Sequence, residues 1–196
     1  MDHQTVIDRT QRWISSMVIG LNLCPFAQRV VQAGLVRYVV SDAEEELTLL
    51  KDLSRELKAF AAAPAHEVET TLLIHPRVLE NFLDYNDFIG VAEQMVADLR
   101  LAGAIQIAGF HPAYQFAGTD ASAVENYTNR SPYPMLHLLR EESITAVAGD
   151  PDALLEIPKR NIATLQGLGL AKVLNILKEI LGDNGAERET PGSPSR

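Results

Sequence analysis

The chain has 196 residues, 46% of them hydrophobic and 22% charged, a balance that suits one folded core and argues against overall disorder. A net charge of −9, a pI near 5.0 and the absence of any basic block make polynucleotides and anionic membrane surfaces poor partners. No apolar run approaches the roughly 20 residues that span a bilayer. The opening Met1 to Thr5 also lacks the basic-then-apolar pattern of an export signal, and a single cysteine, Cys24, allows no internal disulfide, so a cytoplasmic location is expected.

Val6, Trp13, Met17 and Leu21 recur at helical steps and predict an amphipathic helix over Thr5 to Leu21. Leu23-Cys24-Pro25 restarts the chain, and Phe26 to Gln32 predicts a short second helix stopped by Gly34, with Cys24 as its N-cap. Leu35 to Val40 is β-branched and aromatic and reads as a strand. Ser41-Asp42-Ala43-Glu44 has the form of a capping box, opening a helix to about Ala62 that should bury Leu47, Leu50, Leu57 and Phe60. Thr70 to Ile74 is a second strand, followed by His75-Pro76. A helix from about Asp87 to Leu101, with Ile89, Met95, Val96 and Leu99 facing inward, ends at Gly103, and Ala104 to Ala108 is the third strand. Strands alternating with helices predict an α/β fold: a single domain over residues 1–182 with a small, mainly parallel or mixed sheet covered by helices. Phe110 to Pro134 is a polar, aromatic, proline-bearing stretch, long for an idle connection. Helices are predicted over Met135 to Arg140, Ser143 to Ala148, Pro158 to Gln166 and Leu170 to Leu181, and the composition of Asp183 to Arg196 predicts a disordered tail.

Three stretches carry a resemblance: Leu21-Asn22-Leu23-Cys24-Pro25-Phe26-Ala27, Gly109 to Ala117, and Glu125 to Glu141. Over about residues 5 to 181 the chain resembles a bacterial family of conserved proteins without an assigned function. That resemblance implies no activity, cofactor or site residue, so the side chains must be read on their own chemistry.

His111 directly follows a strand, at the carboxyl edge where open α/β sheets hold ligands; it can act as base, acid or ligand, or its ring can cap a backbone carbonyl. Glu125, Asn126, Asn129, Arg130 and Ser131 crowd one polar stretch before Pro132 and Pro134. They can present an arginine fork and amides to an anionic group, or form an internally bonded scaffold with Arg130 paired to Glu125. On a helix His137 and Arg140 would share a face with Glu141 one turn beyond; alternatively Arg140 and Glu141 are solvated charges. Cys24 at a helix N-terminus has a setting that lowers a thiol pKa. Cys24-Pro25-Phe26-Ala27-Gln28-Arg29 is also similar to the active-site turn of glutaredoxins and omega-class glutathione transferases, although those folds place the cysteine after a strand and Thr5 to Leu21 reads as a helix. His75, His111 and His137 are isolated in sequence, so a metal would need tertiary convergence, and no dinucleotide, Walker or serine-elbow motif occurs.

The sequence therefore predicts a small-molecule enzyme whose pocket is built by residues 109–141. His111, His137, Glu125 and Cys24 are its candidate catalytic groups, and Asn126, Asn129, Arg130, Ser131 and Arg140 its candidate binders of a small anionic metabolite. A further expectation is that His111, Arg130 and His137 line one cavity at the carboxyl ends of the strands. The alternatives are a ligand-binding or scaffold protein without turnover, and a thiol-dependent redox or glutathione-linked protein using Cys24. Neither a cofactor nor an oligomeric state is specified by the sequence.

Overall fold

Residues 2–143 and 151–182 are described by the structure, a computed structural model. The predicted tail 183–196 and all but the first residue of the predicted helix Ser143 to Ala148 lie outside them.

Asp2 caps the first helix, its carboxylate accepting from the Thr5 amide, and α1 runs His3–Trp13 with Val6, Thr10 and Trp13 buried along one stripe. The helix then widens into a π-helical stretch, Ile14–Ile19, where the Gly20 amide reaches back five residues to the Ser15 carbonyl. Asn22, at a φ of 53°, turns the chain. A short helix, α2 (Ala27–Gln32), follows, with Phe26 rather than Cys24 at its N-cap.

Strand β1 (Val36–Val40) matches the predicted one. The capping box after it does not form. Ser41 is buried, its hydroxyl donating to Asp52 Oδ2 at 2.6 Å and accepting from the Ala43 amide, and α3 begins later, at Glu46–Ala62. Leu57 and Phe60 are buried as expected, together with Leu49 and Leu53, while Leu50 is partly covered and Leu47 is 63% exposed. Strand β2 (Thr70–Ile74) has the predicted bounds, and α4 (Phe82–Asp98) starts a turn earlier than predicted because Asn81 caps it through the Leu83 and Asp84 amides. Its fully buried residues are Tyr85, Phe88, Ala92 and Val96, with Ile89, Met95 and Leu99 partly covered at the same core. Strand β3 is Ile105–Phe110.

The largest departure lies at Met135–Arg140, which is a strand, β4, not a helix. It pairs antiparallel with β2 on one side and with β3 on the other, giving the sheet order β1-β2-β4-β3. Since β1 and β2 are parallel, β4 is the one strand of this sheet running against the other three. The chain is an α/β domain with a mixed four-stranded sheet. Helix α5 (Pro151–Leu168) contains the predicted Pro158 to Gln166 segment, and α6 (Leu170–Leu181) has the predicted bounds.

Side chains alternate across this sheet, and the two faces bury different partners. Leu73, Ile105, Leu136 and Leu138 join the core made with α3 and α4. At Gly109 this face comes so close to α4 that an added Cβ would sit 2.6 Å from the Tyr85 hydroxyl, which donates to the Met135 carbonyl at 2.8 Å. Leu72, Ile74 and Met135 point the other way and join Val6, Trp13, Met17, Leu165, Val173 and Ile180 of α1, the π-helical stretch, α5 and α6. Among the described residues no helix is long and apolar enough to cross a membrane.

Candidate functional site

A cavity of about 270 Å³ lies on this second face, between the sheet and the first third of the chain. Its floor is Val36, Thr70, Leu72, Ala108, Phe110, His137 and Leu139; its roof is Trp13, Ile14 and Val18, with Cys24, Phe26, Ala27, Val30 and Val31 from the α2 segment. Apart from His137, Thr70 and Cys24, the polar side chains on it are Arg29, Glu69, Arg140 and Ser143 at its margins. Ile14 and Val18 belong to the π-helical stretch, a geometry that recurs at functional sites because the wider turn displaces side chains from the helical stripe. The ring of Trp13 meets Phe110 edge-on, centroids 5.2 Å apart, and its indole N–H is buried without a partner.

Only His137 brings a titratable ring to the cavity floor. Its position on β4, in register with Leu72 and Ala108, directs it to this face, and Thr70 reaches it diagonally from β2. The Thr70 hydroxyl lies 2.6 Å from His137 Nε2 and 2.8 Å from the Leu138 carbonyl. A carbonyl can only accept, so the hydroxyl proton goes to Leu138, and both contacts are satisfied when Nε2 carries the proton and donates to Thr70. Nδ1 is then the lone-pair nitrogen, with no partner among the described residues. Burial holds the imidazole pKa down to about 4, so His137 is neutral at physiological pH.

The other predicted site residues are not brought to this cavity, or are already engaged. His111 does occupy the carboxyl edge of β3, but its Nε2 donates to the Leu79 carbonyl at 3.0 Å and its Nδ1 accepts from the Ala113 amide at 3.0 Å. It packs between Tyr85 and Phe82, buried, and burial lowers its pKa. Its ring caps backbone, as the second reading of the sequence had it. Arg130 pairs with backbone rather than Glu125, donating to the Tyr114 and Ala121 carbonyls while its guanidinium covers the Tyr127 ring at 4.3 Å. Buried Asn126 organises the same segment, Oδ1 accepting from the Phe116 amide and the Thr119 hydroxyl, Nδ2 donating to the Asp120 carbonyl. The Asn129 side chain meets the Thr128 hydroxyl, Ser131 donates to the Tyr133 carbonyl, and Glu125 lies in a 3₁₀ turn, Val124–Thr128. His111 packs against Phe82 and Tyr85 of α4, whereas His137 lines the cavity on the other face of the sheet, and Arg130 is not among the residues lining that cavity.

On a strand, residues three apart face opposite ways, so His137 and Arg140 do not share a face. Arg140 borders the cavity, but its guanidinium turns to the α3 side, over the Phe60 ring, and donates to the Phe60, Ala63 and Val68 carbonyls. Cys24 does border the cavity. Its thiol pKa is raised, because burial outweighs the amides of Phe26 and Ala27 and the charge of Arg160. The expectation of a lowered thiol pKa is thus reversed. Among the described residues no three histidine, cysteine or carboxylate side chains converge on a metal position.

Arg29 and Glu69 were not singled out by the sequence. They form an ion pair on the cavity margin, the Glu69 carboxylate nearly buried and Arg29 half-exposed. The available signals were faint: an arginine soon after Cys24-Pro25-Phe26-Ala27, and a carboxylate directly before a β-branched strand. Residues 5–175 match the family model described as "Protein of unknown function (DUF1415)", and the chain belongs to that family. No curated protein and no solved structure matches it.

Proposed function

We propose that this family member binds a compact, largely apolar small molecule in the cavity under α1 and α2, with His137 Nδ1 accepting a hydrogen bond from a hydroxyl or N–H on that molecule. The observation that carries this reading is the unpaired Nδ1 on an otherwise apolar floor. Small-molecule sites combine apolar walls with a few fixed polar groups, and a cavity of about 270 Å³ lies just below their usual range, which restricts it to a compact ligand. Binding is better supported than acid–base turnover, since a working general base needs a pKa near the operating pH and that of His137 is held to about 4. Thiol exchange is likewise poorly served by a Cys24 whose burial favours the protonated form.

The test uses Trp13, the only tryptophan in the sequence, as a fluorescence reporter on the cavity wall. Titration with para-cresol and with 4-methylanisole, which differs by methylation of the hydroxyl, should show about tenfold tighter binding of the phenol, the discrimination expected when a buried acceptor is satisfied or left unpaired. In His137→Phe the two should bind alike. Equal binding to the wild type, or discrimination that survives His137→Phe, would refute the reading.

A further inference from the structure

Resting on the reading of the cavity just given, we infer that Arg29 is its anion-binding mouth, and that the preferred ligand is a compact apolar carboxylic acid whose far end carries a hydroxyl or N–H donor for His137. The anion contact expected of Arg130 and Arg140 thus passes to an arginine that still has donors to give. Arg130 and Arg140 spend their guanidinium groups on backbone carbonyls. Among the described residues Arg29 makes one side-chain bond, Nη2 donating to Glu69 Oε1, and a guanidinium carries five N–H donors in a planar fork.

Burial distinguishes the two partners of this pair. The Glu69 side chain is 10% exposed and that of Arg29 55%, so the carboxylate is the inner partner and the guanidinium the more solvent-exposed member of a pair that borders the cavity. Glu69 immediately precedes Thr70, whose hydroxyl sets the protonation of His137. Two adjacent residues, Glu69 and the first residue of β2, therefore orient both polar points of the cavity. In a chain of net charge −9 long-range steering would repel an acid, so selection rests on the short-range fork, which matches a carboxylate in two parallel bonds. The nearby Glu69 charge opposes a second carboxylate, which keeps the expected preference modest.

The probes are 4-hydroxyphenylacetate and 4-hydroxyphenylacetamide, which share the ring and the hydroxyl and differ in charge. Wild-type protein, read by Trp13 fluorescence, should bind the acid about tenfold more tightly than the amide, as a charge-assisted contact partly offset by Glu69 allows, and added salt should weaken the acid alone. Arg29→Gln should abolish that preference, weakening the acid far more than the amide, whose carbonyl loses only a neutral acceptor contact. Because Arg29→Gln strands a buried carboxylate, the double variant Arg29→Gln with Glu69→Gln provides a neutral amide pair and should behave the same way. Equal affinities in the wild type, or a preference that persists in both variants, would overturn the assignment of Arg29 and leave the cavity reading intact. Absence of binding by both probes and by para-cresol would overturn the two together.

Discussion

Three histidines of this chain, His75, His111 and His137, are neutral for one reason and engaged in three ways. His111 has both nitrogens committed to backbone groups. His75 donates from Nδ1 to the Val78 carbonyl and buries Nε2 without a partner, its ring stacked 5.9 Å from that of Tyr85. His137 alone of the three lines the cavity, and among the described residues its Nδ1 has no partner. From sequence these are indistinguishable, since a histidine after a strand and a histidine within an apolar run carry no mark of which nitrogen is engaged. The pH dependence of stability follows from their burial. His75 and His137 are each lowered from 6.5 to about 4, so between those values the unfolded chain binds protons that the folded one does not. Their contribution is complete above pH 6.5 and is lost as pH falls toward 4, by up to about 3 kcal/mol each. Urea unfolding across this window should show the stability of His137→Phe falling less steeply than that of wild type, by close to one proton; parallel slopes would mean that His137 is protonated as readily in the folded protein as in the unfolded chain.

At the level of elements, strands β1 to β3 were legible because β-branched residues mark them, and α6 because its apolar period is regular. Strand β4 was not. Met, Leu, His, Leu, Leu and Arg include strong helix formers, and a short apolar run has no period that separates a central strand from a buried helix. What decides the matter is long-range: β2 and β3 each offer β4 an edge, and β4 fills the gap between them. The error propagated into the site, because a helix would have put His137 and Arg140 together and the strand puts them on opposite faces. Arg140 consequently closes the C-terminal end of α3, where the last carbonyls lack helical partners. Its replacement by methionine keeps the contact with Phe60 but leaves the Phe60, Ala63 and Val68 carbonyls without their donor, and should cost about 1–3 kcal/mol. Hydrogen exchange should quicken at the end of α3, around Ala59 to Val68, while ligand-probe affinity stays unchanged; a loss of affinity with no change in exchange would return Arg140 to the binding site.

At the scale of the whole molecule, the two faces of the sheet are covered differently, the α3–α4 side keeping its open space to a polar rim around Gly103, Arg140 and Glu142. The α3–α4 side closes over Leu73, Leu136 and Leu138, whereas the α1–α2 side leaves a cavity above Leu72, His137 and Ala108. That cavity draws its walls from the first helix, the π-helical stretch, the Cys24 segment and all four strands, so no continuous stretch of sequence could have announced it. Its floor runs obliquely across the sheet, from Val36 and Thr70 at the starts of β1 and β2 to Phe110 at the end of β3, whereas His111, one residue further on, packs against α4 on the other face. A cavity kept for a ligand costs stability, because unfilled apolar space forgoes packing. Ala108 is a small residue on the floor, in register with His137. Ala108→Leu extends three more carbons into the space, and if the cavity serves binding it should raise the melting temperature by a few degrees, in line with roughly 1 kcal/mol from added burial, while abolishing the Trp13 response to para-cresol. A leucine that lowers the melting temperature would mean that this part of the floor is already packed, and one that leaves cresol binding intact would locate the bound probe elsewhere.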